Sequence, residues 1–265
     1  MTAARGAQRL AWLGASLGLL VALVVFAPAR WLAHALAWGT ADKVQLVNTR
    51  GSVWRGQGDV LLTGGEGSRT ESALPQGLRW RLKPAWREGQ PALALALETP
   101  CCASAPMPIT LLPGFNGVRL RVGAFASQWP AVLLAGLGTP WNTLRPEGLL
   151  ALQSSGLGVD VVKGQLRLQG GLRVDALDMT SRLSTLRPLG SYRVVLNAEP
   201  DGQSAQLQLH TLSGGLQLTG AGQWIGAHLR FQGAAQAAPG RETALDNLLN
   251  IIGRRDGPRS ILAVG

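Results

Sequence analysis

Acidic residues are scarce: 15 Asp and Glu face 25 Lys and Arg, for a formal net charge of +10. The basic residues are mostly Arg, spread singly along the chain with no dense run. That spacing, without interleaved aromatic signatures, argues against a nucleic-acid partner. Histidine is scarcer still. His34, His210 and His228 are the only three, and no ligand spacing links them. Cysteine is limited to the adjacent pair Cys101 and Cys102. With no Cys-x-x-Cys, neither a zinc ribbon nor a thioredoxin motif is available. Neighbouring half-cystines join only through a tight ring, so an oxidised vicinal pair and two reduced or buried thiols both remain open. Gly-x-Ser-x-Gly, Gly-x-x-x-x-Gly-Lys and His-Glu-x-x-His are all missing. The carboxylates Asp160, Asp175, Asp178 and Asp246 form no paired acid/base signature. The chain is therefore not expected to be an enzyme. No catalytic, cofactor-binding or metal-binding residue is assigned, no cofactor is expected, and the sequence does not specify residues for substrate or partner binding.

What is present is apolar and glycine-rich. Hydrophobic residues make up 46% and there are 35 glycines, a composition that favours strands and turns. An uncharged run extends from Leu10 to Ala29, flanked by Arg9 and Arg30. About 20 apolar residues in a helix match the hydrocarbon thickness of a bilayer, and Trp12 and Trp31 sit near its ends as interfacial aromatics do. A cleaved signal peptide is the competing reading, with Ala27-Pro28-Ala29 as its cleavage site, but the run exceeds the usual signal core of about 7–15 residues. We therefore expect a cytoplasmic N-terminus over 1–9, a transmembrane helix over 10–29, a juxtamembrane linker over 30–43 and a β domain over 44–265. Positive charges flank both sides of the run and do not decide its orientation. A short basic N-terminus usually stays in the cytoplasm.

The body alternates. Leu166, Leu168, Leu172, Val174 and Ala176 fall on one parity; Gln165, Arg167, Gln169, Arg173 and Asp175 fall on the other. Successive strand side chains point to opposite faces, so one face is apolar and one polar. Gly170-Gly171 interrupts this run as a bulge, a bend or a turn. Leu78, Trp80 and Leu82 alternate with Arg79, Arg81 and Lys83. Val118, Leu120 and Val122 alternate with Arg119 and Arg121. The same holds around Tyr192–Leu196, Leu207–Leu209, Leu216–Leu218 and Leu229–Phe231. Turn signals separate these runs at Gly64-Gly65, Pro113-Gly114, Pro200-Asp201-Gly202 and Gly214-Gly215. Such a pattern predicts a mainly β fold: a curved, largely antiparallel sheet, as an open groove or a sandwich, with one or two short capping helices. The first helix is expected to start at Ser127 as N-cap, with Pro130 in its first turn, and to continue through Ala131 to Leu137. The second is expected from Glu242 to Ile252, with Leu245, Leu248, Leu249 and Ile252 on one stripe and Gly253 as terminator. Trp54 is expected to fill core space between bends at Gly51 and Gly56, Trp141 to pack at a helix stop, and Tyr192 to sit on an edge.

Four segments, in order, carry a resemblance. They are Gly51-Ser52-Val53-Trp54-Arg55-Gly56; Leu137-Gly138-Thr139-Pro140-Trp141-Asn142-Thr143-Leu144 with Pro146 and Gly148; Leu183-Ser184 with Pro188-Leu189-Gly190-Ser191-Tyr192-Arg193; and Asn247-Leu248-Leu249-Asn250-Ile251-Ile252-Gly253-Arg254-Arg255. Together they resemble the type II secretion system protein N family. The resemblance implies a single-pass inner-membrane protein with its β domain in the periplasm. It also implies contacts with other inner-membrane secretion subunits that support export of folded periplasmic proteins. The family is similar in architecture to the AsmA-like group, which adds an alternative: a periplasmic groove that binds lipid on its apolar face. It supplies no catalytic residues.

Overall fold

A computed structural model of the chain describes residues 2–65, 71–162, 165–225 and 228–265, without the side chains of 2–11, 162 and 264. Two helices come first, α1 (Thr2–Val25) and α2 (Ala29–Gly39). The strands then follow almost without interruption: β1 (Val44–Gly51), β2 (Arg55–Thr63), β3 (Glu71–Ala73), β4 (Leu78–Arg87), β5 (Gln90–Glu98), β6 (Met107–Gly114), β7 (Gly117–Val122) and β8 (Phe125–Pro130). A 3-10 helix (Ala131–Leu137) and the short α3 (Trp141–Leu144) lead to the long β9 (Glu147–Val162) and β10 (Gln165–Thr180). After these come β11 (Gly190–Ala198), β12 (Ser204–Gly214), β13 (Leu216–Ile225), β14 (His228–Ala237), α4 (Glu242–Ile252), β15 (Arg254–Asp256) and β16 (Arg259–Val264).

All strands join one antiparallel sheet. Its order is β1-β2-β4-β5-β6-β7-β9-β10-β11-β12-β13-β14-β16-β15, with β3 on β2 and β8 on β9. Nearly every strand pairs with its sequence neighbour, as short connections require. Among the described residues the path does not close, and no second sheet packs against it, which rules out the sandwich and leaves the open sheet. Accessible surface is 16274 Å², against about 11,000 Å² for a compact monomer of this mass.

Directly paired residues share a face, so the register shows how the apolar parity continues across the sheet. One row runs Leu93, Leu111, Leu120, Val159, Leu168 through β5, β6, β7, β9 and β10. A second runs Val174, Val194, Leu209, Gly220, Gly233, Leu262 through β10 to β14 and β16. The two rows meet beside Gly170-Gly171, which run on within β10 next to a bulge in β9 and form no turn. Between Gly171 and Arg173 the register slips, and the extra residue lies in β9. The apolar parity of β9 thereby changes from Leu150 and Leu152 to Leu157 and Val159, while β10 keeps its own. Gly170 has φ +81, and a Cβ there would lie 1.9 Å from the Gly156 carbonyl oxygen, so only glycine fits.

The opposite face carries the ion pairs. Arg193 donates to both carboxylate oxygens of Asp175, at 2.6 and 2.7 Å, directly across β10 and β11. Arg121 pairs with Asp160 and Arg81 with Glu98.

Several expectations need correction. The span expected over 10–29 is not one helix: α1 stops at Val25, Phe26–Pro28 turns the chain, and Ala29 opens α2. Proline lacks an N–H and biases its predecessor away from helix. Among the described residues no helix is long and apolar enough to cross a membrane. The linker expected over 30–43 is largely α2, whose Ala29, Leu32, Ala33 and Leu36 pack on Leu46, Val60, Leu78 and Trp80. Thr40 Oγ1 donates to the Leu36 carbonyl at 2.8 Å, covering one of the last helical acceptors. Ser127 is not an N-cap. It lies within β8, accepts the Trp129 indole N–H at 2.8 Å, and the turn that follows is 3-10. Gly253 follows α4 with extended backbone rather than a left-handed terminator. It is small because a Cβ would meet the Ile261 carbonyl oxygen at 2.4 Å. Cys101 and Cys102 are joined as a disulfide, in a turn where Cys102 packs on Leu74 and Leu133.

Candidate functional site: a helix joint, an open apolar face and a helical cap

The four segments singled out in the sequence gather at two places. The first builds the joint between α1 and the sheet. Trp54 Nε1 donates to the Val24 carbonyl at 2.8 Å, satisfying one of the acceptors a helix end leaves open. Val53 N–H donates to the Ala27 carbonyl at 2.9 Å, and Pro28 bridges Ser52. Trp80, 2% exposed, holds this corner from below. Its indole N–H reaches the carbonyls of Ser52 at 3.2 Å and Val53 at 3.1 Å. Gly56 is required there: a Cβ would lie 2.5 Å from the Trp80 ring. Trp54 is therefore a clasp and not core filling, contrary to expectation.

The other three segments converge on the cap. Ser181 Oγ donates to the Leu144 carbonyl at 2.6 Å, Ser184 Oγ to the Ala244 carbonyl at 2.8 Å, and Asn247 Nδ2 to the Leu183 carbonyl at 3.3 Å. Leu245, Leu248 and Leu249 of α4 are fully enclosed with Leu189, Tyr192, Leu216 and Ala235. Tyr192 is no edge residue: β11 is internal, and the buried hydroxyl donates to the Leu216 carbonyl at 3.1 Å. Burial pushes its phenol well above the ordinary tyrosine range. Trp141 lies at the cap's outer margin, 38% exposed.

Between joint and cap the apolar face is uncovered. Leu93, Leu111, Leu120, Val159 and Leu168 are half-buried and belong to none of the buried clusters. They shield one another sideways, and no helix lies on them. The described part of α1 is equally bare. Leu13, Leu17, Leu20 and Val24 are between 48% and 66% exposed. On α2, Trp31 and Trp38 also point away from the sheet into solvent.

The histidines do not assemble. His210 faces Thr219 while His228 faces Ile225 at the other end of β13, and His34 Nδ1 bonds the Arg30 carbonyl at 2.7 Å. Among the described residues no cluster of three His, Cys, Asp or Glu could hold a metal. Alternation alone reveals the open face. The clasp between Trp54 and Val24 has no sequence signal beyond the segment itself, since its acceptor is a backbone carbonyl 30 residues away.

No curated protein and no solved structure matches the chain. The family model described as "Type II secretion system (T2SS), protein N" matches residues 42–262, which takes in every strand from β1 to β15 and most of β16. The chain belongs to the type II secretion system protein N family.

Proposed function

We propose that this type II secretion component is held at the inner membrane by insertion of α1, whose described side chains cover only its second half, and places its open sheet in the periplasm. There it supports export of folded proteins through contacts with other inner-membrane subunits. The observation that carries this reading is the joint. A helix with uncovered apolar side chains is clasped to the sheet through Trp54, Val53 and Pro28. Uncovered Leu and Val in such number suit hydrocarbon and not water. A clasped helix also fixes how the sheet stands on the membrane, as a docking subunit requires. Pull-down of tagged full-length protein in mild detergent, followed by mass spectrometry, tests this. Secretion-platform subunits should co-purify, and deletion should reduce exoprotein release. Carbonate-extractable protein without those partners would overturn the reading.

A second reading is favoured by a separate observation, the apolar row of Leu93, Leu111, Leu120, Val159 and Leu168 between joint and cap. On this reading the face holds acyl chains. Lipid extraction from the purified protein should then give stoichiometric phospholipid. Background amounts would overturn it.

A further inference from the structure

Among the described residues, the polar face beside the joint holds three guanidinium groups without hydrogen-bond or ion-pair partners. Arg50 lies next to the end of β1, Arg55 opens β2 and Arg79 lies on β4, around a surface cavity of about 510 Å³ that also touches Gln57, Arg81 and Glu98. Register brings them together: Arg50 and Arg79 both lie opposite Gln57, and Arg55 lies opposite Arg81. Glu98 is engaged by Arg81. A second carboxylate, Asp59, accepts from Asn48 at 2.9 Å and lines a neighbouring cavity that Arg50 and Arg79 also border. Among the described residues Arg50, Arg55 and Arg79 make no side-chain hydrogen bond and no ion pair. Glu98 lies directly across from Arg79, but with its carboxylate taken by Arg81 the arginines outnumber the carboxylates of the cavity, and the excess positive charge suits an external anion.

Position identifies that anion's source. Arg50 and Arg55 flank Ser52, Val53 and Trp54, the residues that grip the end of α1. A protein surface need not bring its charge to the exit of an apolar helix, whereas a phospholipid leaflet does. We propose that the cavity bordered by Arg50, Arg55 and Arg79 seats the phosphate of an anionic phospholipid headgroup. This rests on the reading of α1 as membrane-inserted. It adds a ligand class and three recognising side chains.

The test uses full-length protein in neutral detergent micelles, titrated with phosphatidylglycerol or phosphatidylcholine and followed by native mass spectrometry. Each basic side chain near an anionic leaflet contributes roughly fivefold in affinity, so R50Q/R55Q/R79Q should weaken phosphatidylglycerol binding by about a hundredfold. Phosphatidylcholine binding should not change. Glu98→Gln frees Arg81 and should tighten phosphatidylglycerol binding severalfold, which keeps the test decisive if the triple variant misfolds. Equal phosphatidylglycerol binding by wild type and both variants would overturn the proposal. So would displacement of the lipid by equimolar inorganic phosphate, which would mark a free-phosphate site, or preference for a poly-glutamate peptide. Carbonate extraction of the wild type is read separately. Release from the membrane overturns the anchor reading, while a retained protein with unchanged lipid affinity overturns only the headgroup site.

Discussion

Two helices lie on the same apolar face and differ in how completely they are satisfied. At the cap, α4 encloses three leucines, and its surroundings are tied by Ser184, Asn247 and Ser181 to backbone carbonyls of distant segments. At the joint, α2 covers Leu46 and Trp80 but leaves Trp31 and Trp38 exposed, and α1 beside it is bare. The cap is complete within the chain. The joint becomes complete only with something outside it. A stability measurement therefore reports on the cap, and a membrane or partner measurement reports on the joint.

The largest effect should come from the cap. Leu248 is 2% exposed within the α4 cluster, so Leu248→Ala should lower unfolding free energy by about 2–5 kcal/mol. Chemical denaturation followed by circular dichroism checks this. An effect below 1 kcal/mol would remove the distinction between the two ends. Next comes Tyr192→Phe, which deletes the bond to the Leu216 carbonyl inside the same cluster and should cost about 1–2 kcal/mol. Trp54→Phe should cost about 0.5–1.5 kcal/mol. Its clearer signature is faster hydrogen exchange in Val24–Ser52, with α4 unchanged. Exchange that rises equally at both ends would mean that joint and cap open as one unit.

The open middle offers a smaller effect of the same sign. Leu120→Gln places an amide on a face that nothing in the chain covers and should cost under about 1 kcal/mol, whereas Leu248→Gln should prevent folding. If Leu120→Gln is as damaging as a cap substitution, something within the folded chain covers the row, and the lipid-holding reading fails with it.

The sheet was legible because its apolar residues obey a period of two over strands such as β4, β7 and β10, and few tertiary contacts compete with that pattern. The stripe of α4 was legible for the same reason at a period of 3.6. Where prediction failed, the deciding contact was long-range or involved backbone. Ser127-Gln128-Trp129-Pro130 has the composition of a helix start, but pairing of Ser127 with Leu152 draws it into β8. Residues 30–43 are Ala- and Leu-rich and helical by propensity, but the uncharged run continues without a charge through Pro28 and so hides the helix start at Ala29. Tyr192 looked peripheral because nothing local marks a hydroxyl whose acceptor is 24 residues away. The joint and the arginine cavity were least legible, because Arg50, Arg55 and Arg79 meet only through the pairing of β1, β2 and β4.

The polar face separates from the apolar one by its response to pH. Hydrogen bonds from the Arg193 guanidinium hold the Asp175 carboxyl below the usual carboxylate range. Burial opposes this, and the charges of Arg193, Arg173 and His210 add to it. A carboxyl depressed in the folded state contributes stability that is present above its unfolded value, near 4, and is lost as pH falls through the folded value. Asp175→Asn keeps the shape and removes the titration. The stability gap between wild type and Asp175→Asn should therefore stay level above about pH 5 and shrink below about pH 4. Leu248→Ala, acting through packing alone, should hold its gap across the same range. If the Asp175→Asn gap also persists into strong acid, the pair acts through cross-strand shape and not charge, and the polar face would share the energetics of the cap.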